Sequence, residues 1–371
     1  MVQEMSNNVA SVVGYYGMSN YGDDLFGEVI AENAAQLLPG REVRIVRGIS
    51  PRRSRSRLGR RAAELYATDS TAGSMLRLGV GVVSLFRSKC MVLGGGSVLA
   101  NLEGVRRIQN KLAPFSKTRF QALGVSIGPF ENKASQEAVA AFIRSFDRIV
   151  VRDASSMEIG RSFALTGQLR MGGDLAALYR PKEDNPPSHH PEVRQVGVAV
   201  CPFPGFGEEE AELMARELVE ALRSTEVAGK RDVVVVYSLN NHPVHGDDSL
   251  AMRMMLVFAE NGIYATHVRH VDTGVDGVWA SIAGLDAMIA VRLHAAITAY
   301  LNRVPFVLLE YQAKCTEFLS DIGQVESLQL PSRNRVLPTS ADLIPVLASP
   351  VLPVFTREDY VERAKAAYFH A

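Results

Sequence analysis

Short apolar blocks recur along this chain, each followed by a Gly-, Asp- or Arg-containing turn and then by apolar residues at helical spacing. Ala10-Ser11-Val12-Val13-Gly14-Tyr15-Tyr16 predicts a first strand, and Gly17 to Asp24 a Gly-containing loop. Leu25, Val29, Ile30 and Ala34 then recur as one helix face. Val43 to Val46 predicts a second strand, and Cys90 to Leu93 a buried one ending in Gly94-Gly95-Gly96-Ser97. Phe120 to Pro129 repeats the strand and small-residue turn, and Ile149 to Val151 ends in Arg152-Asp153. Arg170 to Ala176 closes this half, and the polar, proline-rich Pro181 to Gln195 reads as a linker.

The alternation then restarts. Val196 to Val200, Asp232 to Tyr237 and Tyr264 to Val268 predict strands; Glu208 to Ser224, Asp248 to Asn261 and Gly277 to Ala283 predict helices. Leu285 to Val291 is a further buried strand with its lead-in, and a helix from Ala295 to Asn302 follows. Arg357 to Phe369 predicts a terminal helix after a connection holding Pro345, Pro350 and Pro353. Strand–helix alternation in both halves implies an α/β fold with two Rossmann-like domains, 1–180 and 196–345, a linker at 181–195 and a C-terminal connection and helix at 346–371.

Composition narrows this picture. The chain has 371 residues and is 47% apolar, enough for two cores. Lys plus Arg and Asp plus Glu both number 40, and that neutrality argues against a general nucleic-acid binder. Cys90, Cys201 and Cys315 stand far apart, which suits a reducing compartment and excludes a cysteine-rich zinc module. Residues 1–10 are polar, with no secretory h-region, and the longest apolar stretch, Leu76 to Phe86, is about half a membrane span. These features predict a cytoplasmic, soluble protein.

Candidate chemistry collects where strands end. Arg292 and His294 fall between a buried strand and a helix, the place where open α/β sheets bind ligands and helix N-termini attract anions. A guanidinium and an imidazole there can hold a carboxylate or phosphate and supply a proton; equally, Arg292 can pair with a structural carboxylate and His294 can cap the helix. Asp23 and Asp24 have the same two readings, helix cap or ligand contact. The bare backbone of Gly94-Gly95-Gly96-Ser97 suits close approach of a phosphate or sugar. No GxGxxG dinucleotide fingerprint is present. His242, His245, Asp247 and Asp248 read as a polar loop with a helix N-cap ahead of a zinc site, and His189-His190 has no partner ligands at useful spacing. Arg52, Arg53, Arg55, Arg57, Arg60 and Arg61 form a run free of acidic residues: a solvated loop, or a contact to a lipid-linked substrate or anionic bilayer.

Several of these marks, in order, resemble the polysaccharide pyruvyl transferase family: Gly17-x-x-Asn20-x-Gly22-Asp23-Asp24, Gly94-Gly95-Gly96-Ser97, Ser126-Ile127-Gly128-Pro129, Val151-Arg152-Asp153-x-x-Ser156, Gly173-Asp174-Leu175-Ala176, Arg292-Leu293-His294-Ala295-Ala296, and Val304-Pro305-Phe306 with Tyr311-x-x-Lys314. They cover about residues 12–323. The resemblance implies a fold like that of GT-B glycosyltransferases, two Rossmann-like domains facing a cleft, with the C-terminal helix packing back on the first. It implies phosphoenolpyruvate as donor and a sugar or lipid-linked oligosaccharide as acceptor. The enol-pyruvyl group becomes a ketal on two hydroxyls, with no metal or organic cofactor.

In that reading Arg292, with Arg152 second, holds the donor's anionic groups, and Lys314 reaches its phosphate beside Tyr311. His294 is the general acid, and Asp23 or Asp24 accepts the proton of the attacking hydroxyl. Asn20, Asp23, Asp24, Gly95, Gly96 and Ser97 face the acceptor. Two rival readings share the letters. One is a GT-B glycosyltransferase using a nucleotide-sugar, with Glu310 as its ribose carboxylate. The other is a non-catalytic sugar-binding member of a polysaccharide assembly complex. Catalysis at the inner face of the membrane follows if the acceptor is lipid-linked.

Overall fold

The computed structural model describes residues 8–46, 61–62, 65–66, 68, 70–99, 118–165, 167–182, 191–324, 329–330, 337–349 and 352–369. The arginine run up to Arg60, the His189-His190 pair and most of the linker lie outside the described residues. The chain forms two compact units. One holds the chain to Met18, Asp23–Tyr179 and Tyr360 onward; the other holds Ser19–Gly22 and Arg180–Asp359.

The first unit contains β1 (Val9–Val13), α1 (Tyr21–Glu32, entered through the other unit's Tyr21 and Gly22), the short α2 (Ala34–Leu37), β2 (Glu42–Val46) and α3 (Thr71–Phe86). It continues with β3 (Cys90–Leu99), β4 (Arg119–Ile127), α4 (Lys133–Ile143), β5 (Phe146–Val151), α5 (Ala154–Ser162) and β6 (Leu169–Met171). Its sheet order is β2-β1-β3-β4-β5-β6, and every pairing is parallel. Parallel strands need both faces covered, which explains the unbroken apolar runs in β3, β4 and β5. Leu93, Ala122, Val125, Phe142, Ile149 and Leu169 are among the buried residues of one core.

β3 departs from expectation: it continues through the glycines to Leu99. Gly94 and Gly96 pair with Leu123 and Val125 of β4, and the register shifts between Gly96 and Leu99. Gly94 and Gly95 are closely packed. The Tyr16 hydroxyl donates to the Gly94 carbonyl, and a side chain on Gly95 would collide with the ring of Phe26 in α1.

The second unit runs β7 (Val193–Ala199), α6 (Glu208–Ser224), β8 (Arg231–Ser238), α7 (Asp248–Glu260), β9 (Tyr264–Arg269), α8 (His270–Ala283) and β10 (Ala287–Ala290). Next come α9 (Leu293–Leu301), β11 (Phe306–Leu309), α10 (Ala313–Asp321), β12 (Gln329–Leu330) and α11 (Ser340–Ala348). Period-two burial organises its core. Val196 and Val198, Val234 and Val236, Ile289 and Val291, and Val307 and Leu309 meet the buried stripe of α6 (Ala211, Met214, Leu218, Leu222) with residues of α7 and α11. Glu210 accepts the Gly207 amide at 2.8 Å and so closes the start of α6. Two predicted boundaries move. α8 begins at His270, seven residues before Gly277, and bends at Gly274, whose φ is 74°. The stretch around Pro345 is helical, not a bare connection.

The last helix, α12 (Arg357–Phe369), completes the first unit from Tyr360 on, as the fold reading expects. Tyr360 Oη accepts the Asp174 amide, Tyr368 Oη donates to the Gly173 carbonyl, both at 2.7 Å, and Arg148 Nη2 donates to the carbonyl of Ala367 at 2.9 Å and to that of Tyr368.

Candidate active site at the switch point of the second sheet

The second sheet has the order β9-β8-β7-β10-β11-β12, so the chain reverses its direction of growth after β9 and resumes beside β7. β7 and β10 flank the topological switch point, where open parallel sheets take their ligands. The amides of Val291 and Arg292 both donate to the Ala199 carbonyl, at 2.7 and 3.3 Å, which fixes Arg292 there. Arg292 is the N-cap residue of α9, with extended backbone (φ −72°, ψ 121°). His294 is therefore the second residue of the helix, which starts two residues earlier than its apolar pattern predicts.

Arg292 does have a carboxylate partner. Its Nε donates to Asp247 at 3.0 and 3.2 Å, and its Nη2 donates to Oδ1 of the same residue. Asp247 is fully buried and Oδ2 also accepts the amides of Leu239 (3.1 Å) and Asn240 (2.9 Å) at the end of β8. Burial works against the Arg292 charge, but the Asp247 carboxylate outweighs it and holds the guanidinium above the ordinary arginine range. This fork fixes Nε and Nη2 while the arginine side chain keeps about 20% of its exposure. Nη1, on the other edge, is not used by Asp247. Arg292 is thus a cation held in one orientation at the switch point.

The ends of β7 and β11 supply its neighbours. Tyr311 stacks on Phe203 (centroids 4.7 Å apart), Phe203 stacks on Phe206 (5.1 Å), and Lys314 Nζ lies 5.6 Å from the Tyr311 ring centre. Buried Cys201 lies beside Tyr311 and within electrostatic reach of both Arg292 and Lys314. Burial raises the Cys201 thiol and the Tyr311 phenol and pushes the Cys315 thiol up to about 12, so these groups stay neutral. Asp247 balances the Arg292 charge, and Lys314 and the N-terminus of α9 stand beside this pair.

Ser19–Gly22 belongs to this unit and reaches the same edge. Tyr21 donates its amide to the Leu239 carbonyl (2.8 Å), Asn20 bridges Asn240, and the Tyr21 hydroxyl meets Thr298 Oγ1 at 3.0 Å. Gly22 faces His294 so closely that a methyl group would run into the imidazole. Asn20 Oδ1 accepts the Gly22 amide at 3.1 Å. The structure therefore brings together Arg292, Tyr311 and Lys314, and separately places His294 against the segment that carries Asn20.

The other sequence candidates lie in the first unit. Arg152 is buried just past β5 and already engaged: Nε donates to Ser126 Oγ (2.6 Å), Nη2 to Ser97 Oγ (3.0 Å), and Nη1 lies 3.9 Å from Asp174. Ser126 in turn donates to Asp153 (2.7 Å), the N-cap of α5. Arg152 and Ser97 are thus brought together as a hub joining β3, β4 and β5. Asp24 accepts the Gly17 amide at 2.6 Å and so closes the loop ahead of α1, a bond that neither the cap nor the ligand reading named. Asp23 sits half-buried in the first turn of α1 beside it, and Gly96 is half-buried with φ 85°.

Hydrogen bonds and ion pairs engage the residues of the His242 loop. His242 Nδ1 accepts the amides of Val244 and His245, Asp248 pairs with Arg269, and Asp247 holds Arg292. Among the described residues no group of three or more His, Cys, Asp or Glu is placed to hold a metal. Sequence reading missed Asp247 as the partner of Arg292, because 45 residues and two strands separate them. Only the strand order reveals that the loop after β8 reaches the switch point. Cys201 and Phe203 were missed for the same reason.

Fold and site together define a protein of two Rossmann-like units with an arginine–aspartate pair at the switch point of the second, related in architecture to GT-B proteins. UDP-N-acetylglucosamine 2-epimerases share this fold. The Neisseria meningitidis enzyme bound to UDP-GlcNAc superimposes with a TM-score of 0.57 at 8% identity, over 97% of this chain and 96% of that one. The Methanocaldococcus jannaschii enzyme gives 0.56 at 10%, over 96% and 97%. Comparison with the curated proteins finds none that matches. The family model described as "Polysaccharide pyruvyl transferase" matches residues 20–313. The chain belongs to that family.

Proposed function

We propose that this protein transfers the enol-pyruvyl group of phosphoenolpyruvate to two hydroxyls of a sugar and releases phosphate. The observation that carries the reading is Arg292, pinned by Asp247 at the switch point beside Tyr311 and Lys314. Phosphoenolpyruvate carries a carboxylate and a phosphate on adjacent substituents of one carbon frame. A rigid guanidinium edge suits the planar carboxylate and a lysine suits the phosphate as a point charge.

The chemistry needs one proton delivered to the donor's methylene carbon. His294 supplies it, converting the enol to an oxocarbenium-like centre. A sugar hydroxyl attacks that carbon and gives up its proton to Asp23 or Asp24. Phosphate leaves with a proton, a second oxocarbenium forms, and the second hydroxyl closes the ketal. One hydroxyl proton is thus balanced by the new methyl C–H and the other by the released phosphate. Asn20, Gly95, Gly96 and Ser97 take the acceptor side of this scheme, and Arg152 holds Ser97 in place through its hydrogen bond. The acceptor is a polysaccharide unit or its lipid-linked precursor.

The test is thermal stabilisation by phosphoenolpyruvate against a panel of nucleotide-sugars, for wild type and for Arg292→Ala and His294→Ala. A shift with phosphoenolpyruvate that Arg292→Ala abolishes and His294→Ala retains supports the donor assignment; phosphate release on adding a sugar panel then identifies the acceptor. The structural neighbours named above are UDP-N-acetylglucosamine epimerases. A shift with UDP-GlcNAc and none with phosphoenolpyruvate overturns the reading in favour of a glycosyltransferase.

A further inference from the structure

Helix α3 is built inside out. Positions 73, 77, 80 and 84 form one face, at successive helical turns, and carry Gly73, Arg77, Val80 and Ser84. This face turns inward. Gly73 abuts the carbonyls of Leu65 and Thr68, Arg77 donates to the carbonyls of Tyr66 and Thr68 (2.6 Å to the latter), and the Ser84 carbonyl accepts from Ser11 Oγ in β1 (3.3 Å). The opposite face carries Met75, Leu78, Gly79, Val82 and Val83. Met75 is 68% exposed, Val83 54% and Leu78 40%, with Leu65 nearby at 38%. The single charged residue of the helix is thus turned onto backbone carbonyls, and the outward face has no charge at all. A water-facing helix has the reverse arrangement.

The flanks say what such a face meets. Between 47 and 99 the sequence holds ten arginines and lysines and only two acidic residues, in a chain that is neutral as a whole. Of these cations Arg87 and Lys89 are exposed just past the end of the helix, and Arg61 is exposed ten residues before its start. An apolar helix face flanked in sequence by cations is the pattern of an element lying in the headgroup layer of an anionic bilayer. No helix among the described residues is long and apolar enough to cross a membrane, so this is contact along the surface. We infer that α3 docks the first unit on an anionic lipid surface. The inference rests on α3 and its flanks and is independent of the donor chemistry.

Flotation of the full chain with vesicles tests it, using phosphatidylcholine alone and phosphatidylcholine with about one-third phosphatidylglycerol. Wild type floats with the anionic vesicles and is released by high salt. Combined Met75→Ser, Leu78→Ser and Val83→Ser, and separately combined Arg61→Gln, Arg87→Gln and Lys89→Gln, each reduce the bound fraction about tenfold, with the unfolding midpoint unchanged. Wild type that stays in buffer, or floats equally with neutral vesicles, overturns the inference. A serine variant that melts markedly earlier shows that the chain itself covers the face, and a wild-type dimer dissolved by that variant shows that a second copy does. Either result also overturns it.

Discussion

Replacing Asp247 with asparagine keeps the shape of the side chain and removes its charge. The asparagine oxygen can keep the place of Oδ2, and with it the bonds from the Leu239 and Asn240 amides and one from Arg292 Nε. Its NH2 group then faces Arg292 Nη2, donor against donor, where Oδ1 had accepted. A hydrogen bond to a charged partner contributes about 1.5–3 kcal/mol, and breaking a buried ion pair costs about 3–5 kcal/mol. Because the two amide bonds survive and Arg292 is partly exposed, the expected loss of stability is roughly 2–3 kcal/mol. The freed guanidinium also loses its orientation, so phosphoenolpyruvate binding weakens by about 30-fold, equivalent to ~2 kcal/mol. Urea unfolding measures the first effect and calorimetric titration, well below the melting temperature, the second. The second unit contains its own control. Arg194 pairs with Asp232 at 2.6 and 2.9 Å at the opposite, amino-terminal edge of the same sheet. Arg194→Met destabilises comparably and leaves donor affinity alone. Asp247→Asn that loses stability but binds phosphoenolpyruvate like wild type refutes the positioning argument.

Two other expectations follow from neighbouring contacts. Gly22→Ala suits a helix on propensity grounds, by about 1 kcal/mol, yet its methyl displaces the His294 ring; turnover falls sharply while donor affinity is kept, and wild-type turnover would exclude this ring position from catalysis. Burial lowers the His267 pKa, with Asp248 pulling the other way, and Ser238 Oγ lies 2.8 Å from its Nε2. The unfolded chain therefore takes up the proton first: this contribution to stability is complete above about pH 6.5 and is lost as pH falls toward the depressed folded value. Urea midpoints at about pH 7.5 and about pH 5.5 should differ less in His267→Gln than in wild type; an unchanged difference would mean that other groups carry it.

Much of the fold could be read from the sequence because parallel strands buried on both faces leave apolar runs that nothing else explains. The placement of Arg292 and His294 at a strand end was legible for that reason, and so was the amphipathic α6. The site's second layer was not. Asp247, Cys201 and Phe203 come to Arg292 through strand order, which local pattern does not encode. The close packing of Gly94 against Tyr16 and of Gly95 against Phe26 was not legible in the glycine run, because the same letters also suit close approach of a ligand. The Leu76 to Phe86 block was legible as apolar, but hydrophobicity alone does not say which side of a helix faces out. That answer needed the position of Arg77.

The C-terminal helix has a consequence for how the molecule is made. Tyr360, Arg148 with Ala367, and Tyr368 join the last residues of the chain to β5 and the Gly173 turn, in a unit otherwise composed of the first half of the sequence. During synthesis, domains ordinarily fold in the order in which they emerge. Here the unit begun first is finished last, after the whole second unit has been translated. A ribosome that stops shortly before Tyr360 releases a chain whose second sheet is complete and whose first is still missing its closing piece. Late truncation therefore damages the amino-terminal half, the part of the protein furthest from the break in sequence.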